Sequence, residues 1–276
     1  VNPFQLGIIA ATDTHNGAPA AASEANYLGS HGIDRGVINR LEGTTEVPGG
    51  IGKGSPVRYN PGGVAGVYAS ENSRSALFAA MQRRETFGTS GPRIEPRFFA
   101  GWNLEAVNCD TPDMLAQAYT RGTPMGGTLP PPGSANASPV FLVSASRDAT
   151  AGLLQRIQIV KSWVDTAGGT HQAVYNVAGN PDNGASVDPD SCVVSGQGFN
   201  QLCASWRDPD FEPGLAAVYY SRVLENPSCR WSRHDCIRLP DAERPASCSD
   251  PELAWQIQER AWTSPIWYYP HTEPGQ

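Results

Sequence analysis

The chain has 276 residues, a formal net charge of −7 and only 17 % charged residues. That balance argues against nucleic acid as a partner, and no apolar run reaches the length of a membrane span. With 29 glycines and 24 prolines the composition is loop-rich and strand-leaning, which excludes a helical bundle.

The first element is the apolar run Gly7-Ile8-Ile9-Ala10-Ala11, followed at once by Thr12-Asp13-Thr14-His15-Asn16. A continuous apolar run ended by a turn signal predicts a strand buried on both faces, as in a parallel sheet. Asn16-Gly17 supplies the turn. Asp13 and His15 are two apart, so on a strand they point the same way. A carboxylate and a neutral imidazole side by side suit a divalent metal such as zinc. Asp13 could instead cap the next element. Zinc takes at least three protein ligands, and no other histidine has convincing ligand spacing.

The chain opens at Val1 with neither an initiator Met nor a signal peptide. Few partner strands follow in the next hundred residues. The expectation is a C-terminal piece of a longer protein.

Residues 18–66 show no clear period, and Gly43 to Gly66 reads as a long irregular loop. His31 lies in this stretch, either as a substrate contact or as a solvated loop histidine. Val64 to Ala69 predicts a short strand. Asn72 to Phe87 predicts a helix, capped by Asn72 or Ser73 and stopped by Gly88. Ile94 to Phe99 is the next strand, giving a β-α-β unit. Arg93, just before it, is a second candidate for substrate contact.

After about residue 100 the pattern becomes β-rich. Met114 to Tyr119 predicts one helix. Strands are expected at Val140 to Ala145, Leu153 to Val164, Gln172 to Ala178, Ala216 to Leu224 and Ile266 to Tyr269. Consecutive strands with short turns predict an antiparallel sheet or sandwich. The division expected is residues 1–99 and 100–276.

Five of the six cysteines follow residue 190, and none forms a C-x-x-C pair. An even number in a loop-rich region predicts disulfides and an oxidising compartment, periplasmic or secreted. Cys192 with Cys203 is the expected pair, because it closes one short glycine-containing loop. Buried free thiols are the alternative. Asp182, Asn183, Asp188 and Asp190 could make a calcium loop, but they are also what any turn uses. Trp262, Trp267, Tyr268 and Tyr269 read as sheet packing with polar tips, or as a sugar-stacking surface. No G-x-S-x-G, P-loop or G-x-G-x-x-G in a β-α-β frame occurs.

Four segments together carry a resemblance. Asn2-Pro3-Phe4 leads to Thr12-Asp13-Thr14-His15-Asn16. Glu71-Asn72-Ser73-Arg74 and Arg83-Arg84-Glu85-Thr86-Phe87-Gly88-Thr89-Ser90-Gly91 bracket the helix. Ile157-Gln158-Ile159-Val160-Lys161 lies in the long strand, and Gln258-Glu259-Arg260-Ala261-Trp262-Thr263-Ser264-Pro265-Ile266-Trp267-Tyr268 is near the end. The set resembles a bacterial family, domain of unknown function 3604, related to the PHP (polymerase and histidinol phosphatase) metallohydrolases. The resemblance implies α/β architecture followed by a β-rich part. Residues 1–99 would be the C-terminal end of a PHP-like distorted β/α barrel, and residues 100–276 an antiparallel sheet or sandwich. It also implies a two- or three-metal site holding zinc, manganese or iron. Asp13 and His15 match the late Asp-x-His of that site, while the early His-x-His is absent from this chain.

The expected function is a metal-dependent hydrolase of a small-molecule phosphoester, or of another ester or amide. Asp13 and His15 would be ligands, completed by an N-terminal part of the same protein. The rival expectation is an exported β-rich module that binds a glycan or a protein partner.

Overall fold

The computed structural model describes residues 4–30, 36–42, 57, 59–134 and 137–270. Sequence-distant strands assemble into two facing antiparallel sheets. The larger runs in the order β1 (Val64–Val67), β2 (Thr86–Thr89), β14 (Arg260–Thr263), β11 (Ala217–Glu225), β6 (Leu154–Val164), β7 (Thr170–Gly179), and β15 (Ile266–Tyr268) also pairs with β11. The smaller runs β10 (Gln201–Arg207), β5 (Val140–Ser146), β3 (Glu95–Gly101), β4 (Thr123–Pro124). Two short ribbons, β8 (Ser186–Val187) with β9 (Val194–Ser195) and β12 (Ser228–Cys229) with β13 (Gln256–Ile257), lie outside both.

Alternation along β5 shows why these residues form the smaller sheet. Phe141, Val143 and Ala145 face the larger sheet and join Phe98, Ile157, Ile159, Tyr219 and Val223 in the main core. Val140 and Leu142 face the other way, onto Leu104, Val107 and Ala118 beside helix α3 (Met114–Arg121). β6 is buried from Leu154 through Lys161 except at half-buried Arg156, as its position between β11 and β7 requires. A third cluster joins helices α1 (Val37–Glu42) and α4 (Trp231–Arg238) through Leu41, Trp231 and Cys236. Arg40 and Asp235 pair inside it, with Nε–Oδ2 at 2.5 Å and Nη2–Oδ1 at 3.0 Å.

The expected α/β architecture is overturned. The described residues hold four short helices, the sheets are antiparallel, and no barrel closes. Two local misreadings account for it. Helix α2 (Arg74–Gln82) starts where expected, with the Ser73 hydroxyl accepting from the Ala76 amide at 3.2 Å. It ends early, because Arg84 takes φ +59° and the Glu85 and Arg84 amides return to Ala80 and Met81 carbonyls. This is a Schellman ending with arginine where glycine is usual. Residues Thr86–Thr89 then run back antiparallel to β1 instead of completing the helix, and Gly88 is a strand residue. The chain is therefore not a β-α-β unit there.

The second misreading is Gly7 to Ala11, which forms no strand. The segment is extended but lies across the sheet face at β2. A Cβ on Gly88 would stand 3.0 Å from the Ala10 nitrogen, and one on Gly63 would stand 3.0 Å from the Ala10 Cβ. Two side chains and one backbone bond hold it in place of a full ladder: Ser264 Oγ accepts from the Ile8 amide and Thr86 Oγ1 donates to the Ile8 carbonyl, both at 2.8 Å, and the Gly63 amide donates to the Ala11 carbonyl at 2.9 Å. Leu6 and Ile9 are exposed.

Three disulfides join Cys109 to Cys203, Cys192 to Cys229, and Cys236 to Cys248. The expected Cys192–Cys203 pair is corrected. Cys203 sits on β10 with its side chain against the α3 cluster, where Cys109 reaches it, whereas Cys192 faces β12. Complete pairing is the chemistry of an oxidising compartment. Among the described residues no helix is long and apolar enough to cross a membrane.

A buried ion pair ties the two sheets. Lys161 Nζ on β6 lies 2.7 Å from Asp208 Oδ2, just past β10, and Tyr219 on β11 donates to the same carboxylate oxygen at 2.7 Å. Asp208→Ala leaves the ammonium buried without its counter-ion and is expected to cost about 3–5 kcal/mol in urea denaturation. Peptide mapping under non-reducing conditions is expected to recover a Cys109–Cys203 linkage and none between Cys192 and Cys203. Removing that bridge as Cys109→Ala with Cys203→Ala is expected to cost about 2–5 kcal/mol in the same assay.

Candidate functional site

Asp13 and His15 stand where the extended N-terminal segment leaves the sheet. Residues 11, 13 and 15 are exposed and 12, 14 and 16 half-buried, so the two side chains share the solvent side. Asp13 has φ +51°, a left-handed conformation that aspartate tolerates better than most residues. Thr12 and Thr14 pair through their hydroxyls at 3.1 Å. The His15 amide donates to the Ser30 carbonyl at 2.6 Å. Asn16 closes the following turn by accepting from Ala18 N at 3.0 Å and donating to the Gly29 carbonyl at 2.5 Å, with Gly17 at φ +73°. This is the Asn-Gly turn expected from the sequence.

A carboxylate and an imidazole on one side fit the donor chemistry of a divalent metal, but they are two donors where three are usual. Among the described residues no three or more His, Cys, Asp or Glu side chains are grouped for a metal. His31 lies outside the described residues. In the chain it follows Ser30, the residue that holds the His15 amide.

Arg93 is exposed and belongs to a second place, a cavity of about 430 Å³. Its amide donates to Asp148 Oδ2 at 2.8 Å. Burial pushes the Asp148 carboxyl up, but hydrogen bonds from the Arg93 and Thr150 amides and the Thr150 hydroxyl hold it below its ordinary range. Three further carboxylates line the cavity, Glu24, Glu225 and Glu259, at 8 %, 2 % and 4 % exposure. Glu24, in the 3₁₀ turn Glu24–Asn26, accepts from the Trp231 amide at 2.5 Å and so caps helix α4 from a distance. Glu225 ends β11 and accepts from Gly152 N at 3.2 Å. Glu259 precedes β14 and accepts from the Ser90 hydroxyl.

Burial raises all three glutamates: Glu24 to about 7, Glu225 to about 8 and Glu259 to about 7. Glu259 pushes Glu225 further up, and Glu24 does the same to Glu259. His234, half-buried on the cavity wall, is lowered by burial and by Arg238. Sequence reading missed Glu24, Glu225 and Asp148, which carry no local motif. Glu259 lies in the Gln258-Glu259-Arg260 stretch singled out for resemblance, though without a role. The Asp182 to Asp190 segment is used as turns: Asn180 and Asp188 side chains accept from the amides two residues on. Trp267 and Tyr268 are buried, and Tyr268 donates to the Pro213 carbonyl at 2.7 Å, so the packing account of those aromatics is the observed one.

The glutamate shifts set a pH dependence. A folded-state pKa raised above the unfolded value gives stability present at low pH and lost as pH climbs through the raised pKa. Melting temperature is expected to fall as pH rises from about 5 to about 8, between the ordinary glutamate value and the raised ones, and to level off above that. Glu225→Gln is expected to flatten that fall. Circular-dichroism melts across the interval check it, and a melting temperature that rises with pH contradicts it.

Comparison with curated proteins and with solved structures finds no match. A family model does match, over residues 1–270, described as "Protein of unknown function (DUF3604)". The match spans nearly the whole chain, and the protein belongs to that family.

Proposed function

We propose that this protein is a periplasmic or secreted metal-dependent hydrolase in which Asp13 and His15 are metal ligands, as the PHP resemblance implies. The observation that carries the reading is the His15 amide to Ser30 carbonyl bond at 2.6 Å. It fixes the Asp-x-His pair, both side chains outward, against the residue that precedes His31. The remaining ligands come from outside the described residues, and His31 is kept as a candidate substrate contact. Zinc, manganese or iron bound there would supply a water of lowered pKa and a Lewis acid for a phosphoryl or carbonyl oxygen. The chain's own contribution is positional. The Asn16 turn and the Ser30 carbonyl orient the segment, and Thr86 with Ser264 anchor it to the sheet. The substrate is a small molecule with a phosphoester, or another ester or amide.

A groove of about 290 Å³, lined by Trp163, His171, Val218 and Tyr269 among others, supports a second reading as a glycan-binding module. The Trp163 and His171 rings stack there with centroids 5.2 Å apart.

Elemental analysis of the purified protein is expected to find zinc, manganese or iron. Asp13→Ala and His15→Ala are each expected to weaken metal binding by more than about tenfold and to abolish hydrolysis of an activated phosphodiester. Unchanged metal content in both variants sinks the metal reading. Glycan binding by metal-free protein would favour the second.

A further inference from the structure

We infer that the cavity between the Glu24–Asn26 turn and the adjoining ends of β11 and β14 binds a small aliphatic diamine, its ammonium groups shared among Glu24, Glu225 and Glu259. This site is separate from the Asp13–His15 pair and uses none of its residues.

The first observation is unmet hydrogen-bonding capacity. Oε1 of Glu24 and Oε1 of Glu225 are buried and have no hydrogen-bond partner among the described residues. Both residues line the cavity and both are more than nine-tenths buried. A buried carboxylate oxygen without a donor is costly. A ligand that brings N–H donors to both oxygens removes that cost at two places. An ammonium group carries three donors and a full positive charge.

The second observation is shape. A water occupies about 30 Å³ of liquid, so about 430 Å³ is far more than one water needs and falls in the range of small-molecule sites. Ala20, Ala21, Ala22 and Ala151 give the wall short apolar patches between the carboxylates. Methylene groups suit such a surface. No three of these acids converge closely enough to be grouped for a metal. Spread acceptors fit a ligand whose charge sits on a chain better than a bare ion.

The charged neighbours leave the site acidic. Arg230 acts on Glu24 and Glu259, Arg260 on Glu259 and Arg147 on Glu225, each through its field. Asp148 adds a negative charge beside Glu225, while Arg93 and His234 line the wall. Burial raises the three carboxyls toward neutral pH, so an ammonium that needs them ionised displaces protons on binding. Affinity therefore rises from pH 6 to pH 8.

Titration calorimetry of the whole chain with 1,4-diaminobutane tests this, with a chelator present, at pH 7.5, in two buffers of different ionisation enthalpy. The expected result is binding with net proton release. Glu24→Gln and Glu225→Gln should each weaken it about tenfold or more. The proton count is read on the unaltered protein, so it stands even if a variant folds poorly. Absence of binding, binding without proton release, or native affinity in both folded variants overturns the assignment. Calcium bound more tightly than the diamine in a chelator-free titration also overturns it, in favour of a metal ion. No step depends on hydrolysis or on Asp13 and His15, so failure here is distinct from failure of the metal reading.

Discussion

The ion pair between Lys161 and Asp208 is the contact on which the two-sheet arrangement turns. Lys161 lies mid-strand on β6, in the larger sheet, and Asp208 follows the last residue of β10, in the smaller one. Both side chains are almost wholly buried, at 4 % and 0 % exposure. An apolar pair of similar volume would pack as well or better. What the charges add is direction. Lys161 also donates to the Asp210 carbonyl at 2.6 Å, and Ser138 donates to the Asp208 carbonyl at 2.6 Å. A slide of one sheet over the other by one residue would separate Lys161 and Tyr219 from Asp208 and Lys161 from Asp210, while Ser138 holds Asp208 to its own sheet. Strand β11 then carries this alignment to the far end of the sheet. It pairs with β6 through Tyr219 and Tyr220 and ends at Glu225, where its amide meets the Glu259 carbonyl at 2.8 Å. The acidic cavity is thus placed by the same strand that the ion pair positions.

Much of the β-rich part was legible because its strands obey simple periods. Leu153 to Val164 read as a strand from the spacing of Ile157, Ile159 and Trp163, and Asn72 or Ser73 read as a cap from their chemistry. The first hundred residues misled for physical reasons. Gly7 to Ala11 is as apolar as a buried strand, but its neighbours across β2 are glycines, and a segment that rests on glycines needs no ladder to be held. Helix α2 looked longer because its stop signal is Arg84, and arginine in a left-handed conformation has no sequence signature. Cysteine pairing is a tertiary fact. Cys109 finds Cys203 only because β5 and β10 carry that half-strand onto the α3 side.

The two candidate sites differ in how the sequence could announce them. Asp13 and His15 are near neighbours in the chain, so spacing alone paired them, and the structure keeps both outward. Glu24, Asp148, Glu225 and Glu259 come from four separate places and meet only after folding. None has a partner at a telling interval. Their signal is energetic and appears once burial is known. The loop from Asn16 to Asn26 joins the two places: Asn16 closes the turn after His15, and Ala20 to Asn26 form one wall of the cavity. Two disulfides bound the other side, since Cys229 lines the cavity and Cys236 lies on α4, the helix that Glu24 caps.

The glycines under the N-terminal segment carry a consequence for how the protein tolerates change. Gly63 and Gly88 offer no functional group, yet Ala10 rests on both at van der Waals distance or closer to any added Cβ. Their side of the sheet is a floor cut to the thickness of a bare backbone. A methyl group at Gly88 would have to raise the strap that lies on it, and Asp13 and His15 would rise with it, whereas one at Gly63 would first drive into the Thr89 carbonyl of β2. The surface pair is therefore hostage to residues with no chemistry of their own. Variation at those two glycines should be filtered as strictly as variation at the histidine itself.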